Sequence, residues 1–241
     1  MIPELHTQIL ERATAPYFDT GRFNYHWGRG KLGRDPIFPG LIDHGIFPSN
    51  ARVLDLGCGR GLLASWLLAA EQIANEGRWP AGTPQPPRNL HFHGVELMGC
   101  EADCGNHALS VFGSRVRLAQ GDVRHVDIAE VDVVAILDVL HYINYDDQER
   151  VFDRIHAALP PGGLFLTRIG DAAAGLPFRF SQVVDKAMSF AQGHRLPRMW
   201  CRPLHDWVEA LERRGFVVKT QPMSQGTPFA NVMIEARIQN A

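Results

Sequence analysis

Short apolar runs alternate with longer amphipathic stretches along most of this chain. The first run covers residues 51–56, and a helical pattern over 60–74 follows directly. Residues 91–96 and 116–119 form two further short runs, with a helical pattern over 100–112 between them. Residues 131–137 are almost continuously apolar, as a strand covered on both faces should be. A helix over 146–159 stops at Pro160-Pro161-Gly162-Gly163, and a strand over 164–169 begins beyond that turn. An amphipathic segment over 178–191 comes next, then a helix over 203–214 closed by Gly215, then strands over 216–220 and 231–238. Seven strands alternating with helices predict an α/β fold, with a mostly parallel sheet and helices on both faces.

Two regions stand outside the alternation. In residues 1–50 a helix is predicted over 4–13, and an aromatic and basic stretch follows from Tyr17 to Lys31. That stretch has no clean period and reads as a cap or lid, not a strand. Residues 75–90 carry Gly77, Pro80, Gly82, Pro84, Pro86 and Pro87, too many breakers for an element, and read as a surface loop. The predicted organisation is an N-terminal helix and cap over 1–50 and a main domain over 51–241, with an inserted loop at 75–90 and a candidate lid at 171–202.

The first strand runs into Val53-Leu54-Asp55-Leu56-Gly57-Cys58-Gly59-Arg60-Gly61. Glycine at every second position permits a tight turn and lets a ligand lie against bare backbone. The spacing is Gly-x-Gly-x-Gly, not the Gly-x-Gly-x-x-Gly of dinucleotide sites that hold a pyrophosphate on a helix N-terminus. Asp55, two residues before the first glycine, repels phosphate and suits a cationic amine.

This run resembles motif I of the class I S-adenosylmethionine (SAM) dependent methyltransferases, and the resemblance extends over residues 51–238. It implies a Rossmann-like, doubly wound sheet with SAM as the cofactor at the carboxyl ends of the strands. It implies that Gly57, Cys58, Gly59 and Gly61 pass along the cofactor and that Glu96, followed by Leu97, accepts from both ribose hydroxyls. Gly121, Asp122 and Val123, after the third strand, fall where the family faces the adenine. Asp138 ends the fourth strand beside the expected methyl-transfer site, and Val139-Leu140-His141-Tyr142 follow it. Glu96 lies farther from Gly57 than the family spacing of roughly 20 residues. An insertion at 75–90 accounts for the difference, so the Glu96 assignment requires a loop there.

Composition narrows the remaining choices. With 45% apolar and 21% charged residues, the 241-residue chain can bury an ordinary core. Its net charge of −2 and lack of a long basic run give nucleic-acid binding no electrostatic support. No apolar stretch approaches a membrane span, and Met1-Ile2-Pro3-Glu4 does not open a secretory signal, so the expected setting is cytoplasmic. Cys58, Cys100, Cys104 and Cys201 form no paired Cys-x-x-Cys site, and no metal is expected. Oligomeric state stays open between monomer and homodimer.

The acceptor is expected to be a small molecule. Asn-Pro-Pro-Tyr, Asp-Pro-Pro-Tyr and Pro-Cys runs of DNA-methylating enzymes are absent, as is a close cluster of three cysteines. If the acceptor is a hydroxyl, a general base helps remove its proton. His141 and His26 are the first candidates and His194 the next, although His141 reads equally as a packed histidine. Tyr25, Arg29 and Lys31 in the cap, Tyr142 and Arg168 after or within the later strands, and Phe178, Arg179, His194, Arg195 and Arg198 in the lid segment would suit an aromatic or acyl acceptor bearing a phenolate or carboxylate. Arg29-Gly30-Lys31-Leu32, the 136–142 run and the 226–232 run resemble bacterial methyltransferases of aryl-polyene and polyketide-like pathways. A nicotinamide-dependent oxidoreductase on a related fold and a non-catalytic nucleoside-binding protein are the competing readings.

Overall fold

A computed structural model describes residues 2–175, 199–225 and 230–239. Phe178, Arg179, His194, Arg195, Arg198 and most of the 226–232 run lie outside the described residues. The chain divides into two compact units, Met1–Val126 and Asp127–Ala241.

The first unit opens with helices α1 (Ile2–Thr14), α2 (Arg22–Arg34) and α3 (Ile37–Asp43). Strand β1 (Arg52–Leu56), helix α4 (Leu62–Asn75), strand β2 (His91–Glu96), helix α5 (Gly99–Ala108) and strand β3 (Val116–Gln120) follow. The strands lie in the order β3-β2-β1, all parallel, with Asp55 opposite Gly94 and Glu96 opposite Gln120. Helix α4 is buried on nearly every face, which explains its apolar sequence from Leu62 to Ile73. Helix α1 packs against it, and the Ser65 hydroxyl donates to the Ala13 carbonyl at 2.6 Å. No helix or strand interrupts residues 76–90, so the loop that the Glu96 assignment requires is present.

The aromatic and basic cap is helical. Its sequence hides this, because Gly28, Gly30 and Gly33 weaken helix propensity. One of these glycines serves packing: a Cβ on Gly33 would lie 3.1 Å from the Leu10 side chain, whereas one on Gly28 would reach Leu62 at an ordinary contact distance of 3.4 Å. Close approach to α1 at Gly33 therefore accompanies a helix that local preference disfavours.

The second unit holds β4 (Val133–Leu137), α6 (Tyr145–Ala158), β5 (Leu164–Gly170), α7 (Leu204–Glu212), β6 (Phe216–Pro222) and β7 (Asn231–Ile238). Its strand order is β4-β5-β7-β6; β4 and β5 are parallel, and β7 runs antiparallel to both β5 and β6. Val133, Val134, Ala135 and Ile136 of β4 have no exposure, matching their continuous apolar run. Phe152, Phe165, Trp207 and Phe216 form an aromatic core between helices and strands. Asn144 caps α6 by accepting from the Asp147 amide at 2.8 Å. The seven strands make the mostly parallel, Rossmann-like α/β sheet that the alternation predicts.

Candidate cofactor and acceptor sites

In the first unit β1 delivers Asp55 into the interior, 4% exposed. The chain then turns through Gly57, Gly59 and Gly61, with φ of 80°, 52° and 74°. Side-chain-bearing residues rarely adopt these values, so alternating glycines are what this backbone needs. The turn is tied to β2: the Gly57 and Cys58 amides donate to the Val95 carbonyl at 2.7 and 3.2 Å. Gly94 makes this closeness possible, since a Cβ there would lie 2.6 Å from the Cys58 sulfur and 2.4 Å from Leu118.

Glu96 ends β2 beside the same turn. Its Oε2 accepts from the Gly59 amide at 2.9 Å and its Oε1 from the Met98 amide at 3.0 Å. Each oxygen thus has one bond to backbone and further lone-pair capacity for a ligand hydroxyl. Leu97 is exposed. The Gly121 amide donates to the Glu96 carbonyl at 2.9 Å, which places the end of β3 next to the end of β2. Asp122 begins a turn: its Oδ1 accepts from the Arg124 amide at 2.9 Å, and the Arg124 guanidinium pairs with both carboxylate oxygens. That pairing holds the Asp122 carboxyl below the usual carboxylate range. Val123 is buried behind it.

Electrostatics at the turn follow from burial. Desolvation, and then the neighbouring Glu96 charge, push Asp55 from 3.8 up to about 7. Burial also raises the Cys58 thiol, so it stays neutral.

On α2, the Tyr25 ring sits edge-on to Phe18 and to His26, at centroid distances of 5.7 and 5.1 Å. His26 is exposed, Arg29 is half-buried, and Lys31 pairs with Asp35 at 2.8 Å.

In the second unit Asp138 follows β4 with φ of 60°, a left-handed conformation that aspartate adopts more readily than most non-glycine residues. Arg168 of β5 holds its carboxylate: its Nε donates to Asp138 Oδ1 at 2.7 Å, and its Nη2 makes a second contact to Oδ2. Arg168 is 3% exposed, and its charge is taken up by this carboxylate.

His141 lies in that turn, its ring 4.1 Å from the Tyr142 ring, and Tyr142 is exposed. Its Nε2 is buried with no hydrogen-bond partner among the described residues. Burial pulls the imidazole below its usual range, with Asp138 acting weakly the other way, so His141 is neutral at pH 7. Gln148, wholly buried, holds the turn: its amide donates to the carbonyls of Leu140 (2.9 Å), Ile143 (3.1 Å) and Trp200 (2.8 Å). Its oxygen accepts from Arg202 at 2.8 Å, and the Trp200 amide donates to the His141 carbonyl. Sequence reading singles out neither Gln148 nor Arg124. A glutamine on the inward face of an amphipathic helix was the available signal for the first; an Asp-x-Arg turn was that for the second.

Comparison with known proteins now decides the family. The methyltransferase domain family matches residues 38–221. The chain belongs to this family. A curated relative, carboxy-S-adenosyl-L-methionine synthase of Chromohalobacter salexigens, is 28% identical over 127 residues, covering 53% of this chain and 43% of the relative. The chain thus spans about half the length of the curated relatives it matches. Among solved structures, magnesium protoporphyrin IX methyltransferase of Synechocystis PCC 6803 superposes with a TM-score of 0.59 at 16% identity, covering 91% of this chain and 89% of that one. It has been solved with S-adenosylhomocysteine and with SAM bound, the cofactor the glycine run led us to expect. The mitomycin 7-O-methyltransferase gives a TM-score of 0.60 at 22% identity, covering 88% of this chain and 56% of that one. The family match bears out the expected methyltransferase family, and the solved structures bear out the Rossmann-like fold. No helix among the described residues is long and apolar enough to cross a membrane.

Proposed function

We propose that this protein transfers the methyl group of SAM to a small-molecule acceptor, an aromatic or acyl compound methylated on a hydroxyl or carboxylate. The observation that carries the cofactor reading is the Glu96 carboxylate bonded to the Gly59 amide of a three-glycine turn that follows a buried aspartate. The space fits: a Cβ on Gly59 would meet nothing within 4 Å, which leaves open the volume that a ligand on this turn needs. The charges fit as well, since a carboxylate at each of β1 and β2 suits an ammonium and a ribose diol and disfavours pyrophosphate.

When bound, SAM supplies the electrophilic methyl group. The chain's own residues then have three tasks. Asp55 holds the cofactor's ammonium and Glu96 its ribose diol, so that attack is in line. Tyr25 and Arg29 offer an aromatic edge and a cation to the acceptor. His141, neutral and with an Nε2 that has no hydrogen-bond partner among the described residues, takes the acceptor's proton.

The relatives' name supports a second reading, in which the sulfonium compound is itself modified to a carboxylated form. Incubating the protein with methyl-labelled SAM and a metabolite extract, followed by mass spectrometry, separates the two. Labelled acceptor with equimolar S-adenosylhomocysteine supports methyl transfer; a carboxylated sulfonium compound without labelled acceptor supports the second; neither product overturns both.

The raised Asp55 predicts a pH effect. Between about pH 4 and 7 the unfolded chain has released this proton while the folded chain keeps it. Stability from this group is therefore full below pH 4 and is lost as pH rises through 7. A cofactor ammonium beside the ionised carboxylate offsets the loss. SAM should bind more tightly at pH 8 than at pH 6, releasing a proton at the lower pH, and Asp55→Asn should remove the dependence. Calorimetry in buffers of different ionisation enthalpy reads both; equal affinity at the two pH values contradicts the assignment.

A further inference from the structure

Arg60 stands between the last two glycines of the turn, and nothing in the cofactor reading uses its side chain. That side chain is nevertheless among the most engaged in the first unit. Its Nε and Nη2 donate to Glu101 of α5 at 2.6 and 2.8 Å, a paired geometry matched to a carboxylate. Its Nη1 donates to Asn24 of α2 at 2.7 Å. The guanidinium carbon lies 4.8 Å from the Trp27 ring centre and 5.7 Å from that of Phe23, both on α2. Its carbonyl accepts from the buried Tyr17 hydroxyl at 2.7 Å. Beneath, Gly105 lets α5 press on the same peptide, since a Cβ there would lie 2.7 Å from the Arg60 oxygen.

One residue of the glycine turn is thus gripped by the α1–α2 connection, by α2 and by α5. We propose that Arg60 is a positioning residue that fastens the cap helix α2 to the cofactor turn. The cap carries Tyr25, His26 and Arg29, so the element offered to the acceptor is set by the turn offered to the cofactor. Lysine would not substitute fully: it keeps the charge but cannot reach Glu101 in paired fashion and Asn24 together. Coupling of this kind is reciprocal, so a ligand that steadies the turn steadies α2, and a loosened α2 weakens the ligand.

This inference rests on the reading that the turn holds SAM, and the test separates the two. Hydrogen exchange by mass spectrometry is followed in residues 22–34 and 52–61, with and without S-adenosylhomocysteine, for the wild type, Arg60→Met, Arg60→Lys and the cap-side variant Trp27→Leu. In the wild type, S-adenosylhomocysteine should slow exchange in both segments. In Arg60→Met, protection of 52–61 at saturating ligand should persist while that of 22–34 is lost, with affinity weakened ~5- to 150-fold, the usual range of such coupling. Arg60→Lys should fall between. Without ligand, 22–34 should already exchange faster in Arg60→Met and Trp27→Leu, with α4 unchanged. Trp27→Leu leaves the turn itself intact, so the test survives if Arg60→Met does not fold. Unchanged exchange in 22–34 in a folded variant, with or without ligand, overturns the fastening role. Failure of the wild type to bind S-adenosylhomocysteine overturns the cofactor reading instead, and the ligand-free comparison still decides the fastening role.

Discussion

Replacing His141 by alanine should lower turnover by ~10²–10⁴-fold, the typical worth of a positioned proton transfer. SAM affinity should barely change, because the ring's Nε2 is assigned to the acceptor. In the wild type the rate should rise with pH through a histidine titration below the usual range, since burial disfavours the imidazolium. The alanine variant should lose that dependence. A packing role gives the opposite pattern: lower melting temperature and near-normal turnover per folded molecule. Measuring turnover and melting temperature on one preparation separates them, and near-normal turnover in a stable variant excludes the base role. Gln148→Leu offers a check, because it removes the donors to Leu140 and Ile143 without touching the ring.

The second large effect is expected at Glu96. Glu96→Ala should cost ~1.5–3 kcal/mol of cofactor affinity, the worth of hydrogen bonds to a charged group, or roughly 10- to 150-fold in Kd. The structure adds a second reason for the loss: the carboxylate also holds the Gly59 and Met98 amides, so its removal frees the turn. Glu96→Gln should fall between, keeping one acceptor and losing the charge. Unchanged SAM affinity in a folded Glu96→Ala protein sinks the ribose assignment.

How much of this was legible in the chain depends on the range of the signal. The β1 turn was readable because a strand, an acid and three left-handed positions lie within nine residues, and each demands a residue type. Strand β4 was readable because full burial leaves an unbroken apolar run. Helix α2 was not, because its glycines weaken the local signal and Gly33 makes close contact with Leu10, a partner far away in sequence. The antiparallel β7 between β5 and β6 was not either, since periodicity gives strands and not their order. The positions of Glu96 at the end of β2 and of His141 in the turn after β4 followed from the alternation. The engagement of Asp138 by Arg168, of Asp122 by Arg124 and of Arg60 by Glu101 did not, since single charges carry no sign of their partners.

The proposed SAM site is the turn from Asp55 to Gly61 with Glu96 beside it. Titration calorimetry of the intact protein with SAM, with NAD as control, tests it most directly when repeated on Gly59→Val. Valine there would place a branched side chain in the open volume on the turn, at a φ it does not tolerate. SAM should bind the wild type at one site, NAD should give no binding heat, and Gly59→Val should lose SAM while keeping its far-ultraviolet circular dichroism. Binding of NAD in place of SAM, or SAM affinity unchanged in Gly59→Val, would contradict the proposed site.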